Sequence, residues 1–288
     1  MFSSSILTVC LLLCNTVVQA SIPSLSGYHV VWSDDFNGAQ GTGVDTSKWN
    51  QIAKHPTANG EQETYTSGTG NVHLSGDGQL YIIPTKDSSG NWLSGRIESN
   101  AAFTAPTGGA MVIQAELWVP DFAGNPATRA GLWPAFWTLG NRLRSSGCAW
   151  PKCGEWDIFE VTPWLENHNV ASLHYQLNDG TKVTLNDANH HAAYSGGQYH
   201  TWAVKVDLRN SDWTQQTLSF WLDGTQYYSV SGSQIGDQGL WSTLAWWDYY
   251  VIFNVAVGGG YPGNPGSQTV AGYDSSMRVR YVAVYQTN

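Results

Sequence analysis

Charge is scarce in this chain. Only 12% of its 288 residues are charged, and 13 Lys and Arg face 22 Asp and Glu, for a net charge of −9. That balance argues against nucleic acid and anionic membrane as partners. Cysteine is scarce too. Of the four, Cys10 and Cys14 fall in the first twenty residues, leaving Cys148 and Cys153. Two cysteines without nearby His at ligand spacing make a poor zinc site, so no metal centre and no cofactor are expected. No Asn-x-Ser/Thr acceptor occurs. No segment sustains a helical period with caps. Short helical turns near "TSKW", with Asp45 as N-cap, and near "GLWSTLAW" are the only ones expected.

Long apolar runs are limited to the start. "MFSSSILTVCLLLCNTVVQA" has an apolar stretch from Ile6 to Leu13 and ends in Val18-Gln19-Ala20. It is too short to span a bilayer and reads as a signal peptide over residues 1–20. Residues 21–288 remain as one domain, since no linker or repeat divides them. The expected location is secreted, either extracellular or in a cell wall. In that oxidising compartment Cys148 and Cys153 are expected to form a disulfide. A monomer is expected.

Aromatics are abundant: 15 Trp and 14 Tyr. A large core absorbs some of them. Carbohydrate ligands account for the excess, because the apolar face of a sugar ring stacks on an indole. Short runs rich in Val, Ile, Tyr, Phe and Trp recur between Gly, Asn, Asp and Pro, among them "YHVVWSD", "GAMVIQAELWV", "LWPAFWTL", "EWDIFEV", "ASLHYQL", "YYVIFNVAV" and "MRVRYVAVYQ". This spacing predicts an all-β sandwich or barrel. "WLDG" before "TQYYSV" predicts a hairpin turning at Asp223-Gly224. Runs 111–119 and 251–257 suit strands covered on both faces.

"GEWDIFE" carries three carboxylates, Glu155, Asp157 and Glu160, in apolar sequence. Charges are rarely buried unpaired, and no Lys or Arg lies between these. Period two puts Glu155 and Asp157 on one face with Phe159, and Glu160 on the other. Glycoside hydrolysis needs two carboxylates flanking one bond. Glu155 and Glu160 share a face only if one extra residue is absorbed between Asp157 and Glu160. A β-bulge at Ile158–Phe159 does this. Asp157 then separates the pKa values of its neighbours.

The segment resembles the E-x-D-x-x-E signature of glycoside hydrolase family 16, in its laminarinase-type endo-β-1,3(4)-glucanase branch. Further blocks follow in the family's order: "VVWSDDFNG", "NGEQETYT", "SGRIES", "GLWPAFWTLG", "ASLHYQ", "FWLDG", "NVAVGGGYPG" and "MRVRYVAVYQ". The resemblance implies a β-jelly-roll sandwich of two curved antiparallel sheets with a glycan-binding cleft on the concave face. It implies Glu155 as nucleophile, Glu160 as general acid/base and Asp157 as the assisting acid. It places Trp133, Trp137, Trp150, His174, Arg96, Glu98 and Asn59 along the cleft. All but Asn59 have a plainer reading: core for the tryptophans, a structural strand His, a surface ion pair for Arg96 and Glu98. Tyr261 stands where relatives often carry Trp. Arg280 stands where many relatives place a calcium-ligating Asp, so no calcium is expected there.

The expected activity is a retaining endo-β-1,3-glucanase acting on β-glucan polysaccharide or oligosaccharide, with mixed-linkage glucan also within range. A transglycosylase using the same acids stays open. A non-catalytic glucan-recognition protein is disfavoured because all three acids are retained. A serine or cysteine hydrolase is disfavoured for want of a nucleophile elbow.

Overall fold

The computed structural model describes residues 21–56, 58–186 and 192–287. The expected signal peptide lies outside the described residues. Two large sheets hold most of the strands. One has seven, ordered Lys182–Asn186, Ser172–Gln176, Glu155–Glu160, Leu132–Gly140, Tyr249–Val257, Arg96–Ser99 and Trp49–Gln51. The other has eight, ordered Thr225–Ser231, Thr217–Leu222, Tyr199–Asp207, Ala110–Trp118, Met277–Gln286, Leu80–Ile82 and Val72–Leu74, with His29–Asp34 also paired to Met277–Gln286. Every pairing within these two sheets is antiparallel; the short pair Thr64–Tyr65 and Trp92–Ser94 is parallel. The expected all-β sandwich is thus observed.

Alternation explains the layering. In Leu132–Gly140, Leu132 and Phe136 enter the core between the sheets while Trp133 and Trp137 stay half-exposed on the opposite face. Phe136 stacks on Phe253 at 4.8 Å, and Trp156 on Tyr249 at 3.8 Å. Buried rings of this size contribute roughly 1.5–3 kcal/mol each. Tyr249–Val257 is buried at all nine positions. Its strand has a neighbour on each side and is covered above and below, as its continuous apolarity predicts.

The hairpin turns at Asp223 and Gly224, with φ of 48° and 78°. Positive φ at both central residues is the type I′ requirement, which Asp-Gly meets at low strain. The turn at 46–48 has Asp45 Oδ1 accepting from the Ser47 N–H at 2.9 Å. Gln238–Trp241 and Ser242–Trp246 form the helical turns expected in "GLWSTLAW". Pro126–Arg129, Arg142–Ser145 and Gly232–Ile235 are further single turns. They are too short to show a period. Among the described residues no helix is long and apolar enough to cross a membrane.

Arg280 sits where Met277–Gln286 shifts register against Ala110–Trp118. Its Nη1 lies 3.1 Å from Glu116 Oε1, and its guanidinium lies 3.7 Å from the Tyr199 ring centre. A fixed cation therefore occupies the position where the resemblance places a calcium ligand.

Candidate active site

The acids stand on Glu155–Glu160, an interior strand of the seven-stranded sheet. Against Leu132–Gly140 the pairing runs Leu139 with Glu155, Thr138 with Trp156 and Trp137 with Asp157, then resumes with Phe136 to Phe159 and Ala135 to Glu160. Ile158 is the extra residue. The bulge expected at Ile158–Phe159 is therefore present. Trp156, Ile158 and Phe159 all enter the core, and Glu155, Asp157 and Glu160 share the outer face.

The bulge strands two backbone groups. Pairing with Ser172–Gln176 ends at Asp157 opposite Ser172. Beyond it, the buried Asn169 side chain substitutes for a strand. Its Oδ1 accepts the Glu160 N–H at 2.8 Å, and its Nδ2 donates to the Ile158 carbonyl at 3.0 Å and to the Tyr227 hydroxyl at 2.8 Å. Asn169 was not foreseen in the sequence. At the other end Gly154 has φ of 81°, and a Cβ there would run into the Tyr249 hydroxyl. Only glycine lets the chain enter the strand at that angle.

Each outer acid holds one indole donor. Trp150 Nε1 donates to Glu155 Oε2 at 2.9 Å, and Trp133 Nε1 donates to Glu160 Oε1 at 2.9 Å. His174 stands directly across from Glu155 on the neighbouring strand. Its Nε2 is 2.9 Å from Asp157 Oδ2 and 3.8 Å from Glu155 Oε1. Thr184 Oγ1 lies 3.0 Å from His174 Nδ1. With that hydroxyl donating, the ring proton is on Nε2 and faces the two acids. The Nε2 contact to Asp157 lacks hydrogen-bond alignment, leaving Asp157 Oδ2 buried without an aligned donor. Protonation of Asp157 or Glu155 relieves the repulsion between two buried carboxylates.

Burial raises all three acids. It pushes Asp157 up to about 8. It pushes Glu160 up to about 8, helped by the charge of Asp157 and opposed by His174 and the Trp133 N–H. Glu155 is raised well above the ordinary range by burial and then by Asp157, with His174 and Trp150 pulling it down. The three titrate as a unit, not independently. Donor atoms of Glu155, Asp157 and His174 lie within 4.8 Å of one another, a spacing that suits a cation. Buried carboxyls with raised pKa values, and an indole N–H aimed at each outer one, suit acid–base work better.

The remaining expected residues divide along the face. Trp137 donates through Nε1 to Asn254 Oδ1 at 2.7 Å, and the Arg96 guanidinium lies 4.8 Å from its ring centre. Arg96 Nη2 pairs with Glu98 Oε1 at 2.6 Å. These three form one fixed cluster beside Asp157. Tyr261 packs on Trp133, 5.1 Å between ring centres. Asn59 is exposed; its carbonyl accepts the Gly260 N–H at 2.8 Å, which ties its loop to the one carrying Tyr261. Trp150 is 45% exposed and Trp164 55%. Trp164 and Thr184 were also not foreseen.

The expected disulfide is corrected. Cys148 and Cys153 are free thiols. Cys153 Sγ turns to the Cys148 and Ala149 carbonyls at 2.8 and 3.4 Å, while Cys148 Sγ faces the Ala149 carbonyl at 3.8 Å. Thiol–carbonyl contacts, not a sulfur–sulfur bond, close the loop that carries Trp150. Burial pushes the Cys153 thiol up to about 12, so it is held neutral.

A two-sheet β-sandwich with two carboxylates brought to one face by a bulge, and tryptophans around them, defines the class: a carbohydrate-active β-sandwich. The chain belongs to glycoside hydrolase family 16: residues 54–217 match the family described as "XgeA-like, catalytic GH16 domain". The glucan endo-1,3-beta-glucosidase A1 of Niallia circulans is 28% identical over 92% of this chain. The chain spans 39% of that protein's length, and 58% of a keratan-sulfate endo-1,4-beta-galactosidase from Sphingobacterium multivorum that is 24% identical. Among solved structures, the endo-1,3-beta-glucanase of Streptomyces sioyaensis is 34% identical, with a TM-score of 0.79 over 93% of this chain and 100% of that one. The endo-beta-1,3-glucanase of Pyrococcus furiosus is 27% identical, with a TM-score of 0.65 over 90% of this chain and 94% of that one.

Proposed function

We propose that this chain is a secreted, retaining endo-β-1,3-glucanase that hydrolyses laminarin-type β-glucan and also accepts mixed β-1,3-1,4-glucan. The carrying observation is the bulge at Ile158, which sets Glu155 and Glu160 on one face with Asp157 between them in the chain and His174 facing Asp157 from the next strand. The similarity to the Streptomyces and Pyrococcus glucanases supports β-1,3-glucan as substrate. Secretion rests on the character of residues 1–20.

The donors divide the roles. His174 faces Asp157 and Glu155, so negative charge is centred on that pair. Burial and the charge of Asp157 raise Glu160, which favours its protonated form in the resting site. In the first step Glu160 gives this proton to the glycosidic oxygen. Glu155 attacks the anomeric carbon, forming a C–O bond as the bond to the leaving sugar breaks. In the second step the Glu160 carboxylate takes a proton from water. The water oxygen attacks the same carbon and displaces Glu155. Two inversions leave the configuration unchanged.

The test is Glu155→Ala and Glu160→Ala with an activated β-glucoside and azide. Azide should rescue Glu155→Ala with a product of inverted configuration, and Glu160→Ala with retained configuration. Unaltered activity of either variant on laminarin refutes the assignment. Product size on laminarin separates hydrolysis from transglycosylation, since only the latter makes chains longer than the donor. Parallel digestion of barley β-glucan and lichenan reads the linkage range.

A further inference from the structure

We propose that Trp164 is a substrate-stacking residue. It forms the outer end of an aromatic row that holds a glucose unit away from the scissile bond, so the enzyme favours longer chains. The inference rests on the glucanase reading above and deepens it.

An exposed tryptophan alone is unremarkable on a protein surface. Trp164 differs because its ring is fixed. Its turn is anchored by the buried Leu165, whose N–H donates to the Thr162 carbonyl at 3.1 Å. Its own Nε1 donates to the Tyr261 carbonyl at 2.9 Å, and its ring meets the Tyr261 ring edge-on at 5.1 Å and 87°. The one polar group is thus satisfied within the protein, and the ring remains 55% exposed. A rigid indole with a free apolar face binds a sugar ring with little loss of side-chain freedom.

The row leads back to the chemistry. Trp164 touches Tyr261, Tyr261 packs on Trp133 at 5.1 Å, and Trp133 donates to Glu160 at 2.9 Å. Trp164 is therefore two rings removed from the acid. The unit it holds is not the one being cleaved. Such remote binding lowers KM for chains long enough to reach it and leaves short substrates unaffected.

The experiment compares Trp164→Ala and Trp164→Phe with the wild type on laminarihexaose and on a short aryl β-glucoside. For Trp164→Ala, KM for the hexaose should rise about tenfold at unchanged kcat, with no change on the aryl glucoside, the signature of lost remote binding. Trp164→Phe should recover most of the loss. An unchanged hexaose KM, or an equal loss on both substrates, overturns the inference. Fluorescence titration with laminarihexaose separates the two claims. A wild type that binds but never cleaves β-glucan refutes the glucanase reading, and the inference then falls only if Trp164→Ala binds as well as the wild type. A wild type that binds no glucan refutes both.

Discussion

Replacing Asn169 by Leu tests the bulge directly. The two side chains are of similar size, so the change removes hydrogen bonds without opening a large cavity. Three bonds are lost: those to the Glu160 N–H, the Ile158 carbonyl and the Tyr227 hydroxyl. A buried polar group left unpaired costs about 1–3 kcal/mol. The Ile158 carbonyl retains a weak contact from the Tyr227 hydroxyl at 3.4 Å. Among the described residues the Glu160 N–H has Asn169 Oδ1 as its acceptor and no second one. One full penalty and one partial penalty give about 2–4 kcal/mol. At about 2–4 °C per kcal/mol for a domain of this size, the melting temperature should fall by roughly 5–15 °C. Activity should fall further than stability explains, because the N–H that sets the direction of Glu160 is the group released. Asn169→Asp keeps an acceptor for that N–H but turns a carboxylate oxygen toward the Ile158 carbonyl. It should retain more activity than Asn169→Leu. The assays are thermal melting and kcat on laminarin well below the melting temperature. An Asn169→Leu protein that melts and turns over like the wild type refutes the claim that this side chain holds the bulge.

Glu63 is fully buried, accepts the Val257 N–H at 2.8 Å, and has its other oxygen unpartnered. Burial raises it from 4.5 to about 7, so its neutral form is the one the fold favours. Its stabilising contribution is whole below pH 4.5 and is lost as pH rises to about 7. Glu63→Gln should therefore gain on the wild type by about 3 kcal/mol across that window, and parallel pH–melting curves refute this. Trp133→Phe removes a bond that lowers the Glu160 pKa. The alkaline limb of kcat/KM should move to higher pH, and an unmoved or lowered limb counts against Glu160 as the acid. Because Cys148 and Cys153 are free thiols, dithiothreitol should leave the melting temperature unchanged, whereas a fall of several degrees would reveal a disulfide.

The legible features were those carried by side-chain alternation and turn chemistry. The central strands, the Asp223-Gly224 hairpin and the two-sheet layering follow from period two and from residues that favour positive φ. The strand Lys182–Asn186 was not legible. It lies at a sheet edge, and its apolar face is only Val183 and Leu185, both half-buried. With it went Thr184, the partner of the His174 ring. Asn169 left no local signal because its bonding partners, two backbone groups and the Tyr227 hydroxyl, all lie outside its own segment. Trp164 has no alternating neighbours to give it a face. The disulfide expectation failed for a related reason. Spacing and compartment permit a bond between Cys148 and Cys153, but side-chain direction decides it, and Cys153 Sγ is aimed at carbonyls.

The bulge itself was legible because no regular register suits "DIFE". An unbroken strand continuing from Asp157 would put Phe159 on the outer face and Glu160 in the core. An unpaired carboxyl in the core is destabilising by several kcal/mol unless it stays neutral, and an exposed Phe forfeits roughly 1.5–3 kcal/mol of burial. Shifting the strand by one residue only transfers the conflict to Glu155 and Asp157. Absorbing Ile158 resolves both, sending Ile158 and Phe159 inward and all three acids outward. What the bulge forfeits is local: the ladder bonds of one carbonyl and one N–H, each about 1–3 kcal/mol if left orphaned. Asn169 restores both. The energetic balance therefore favours the bulge even without any catalytic demand. The alignment of Glu155 with Glu160 follows from hydrophobic pattern together with one buried amide, so the same packing that stabilises the sandwich also positions its acids.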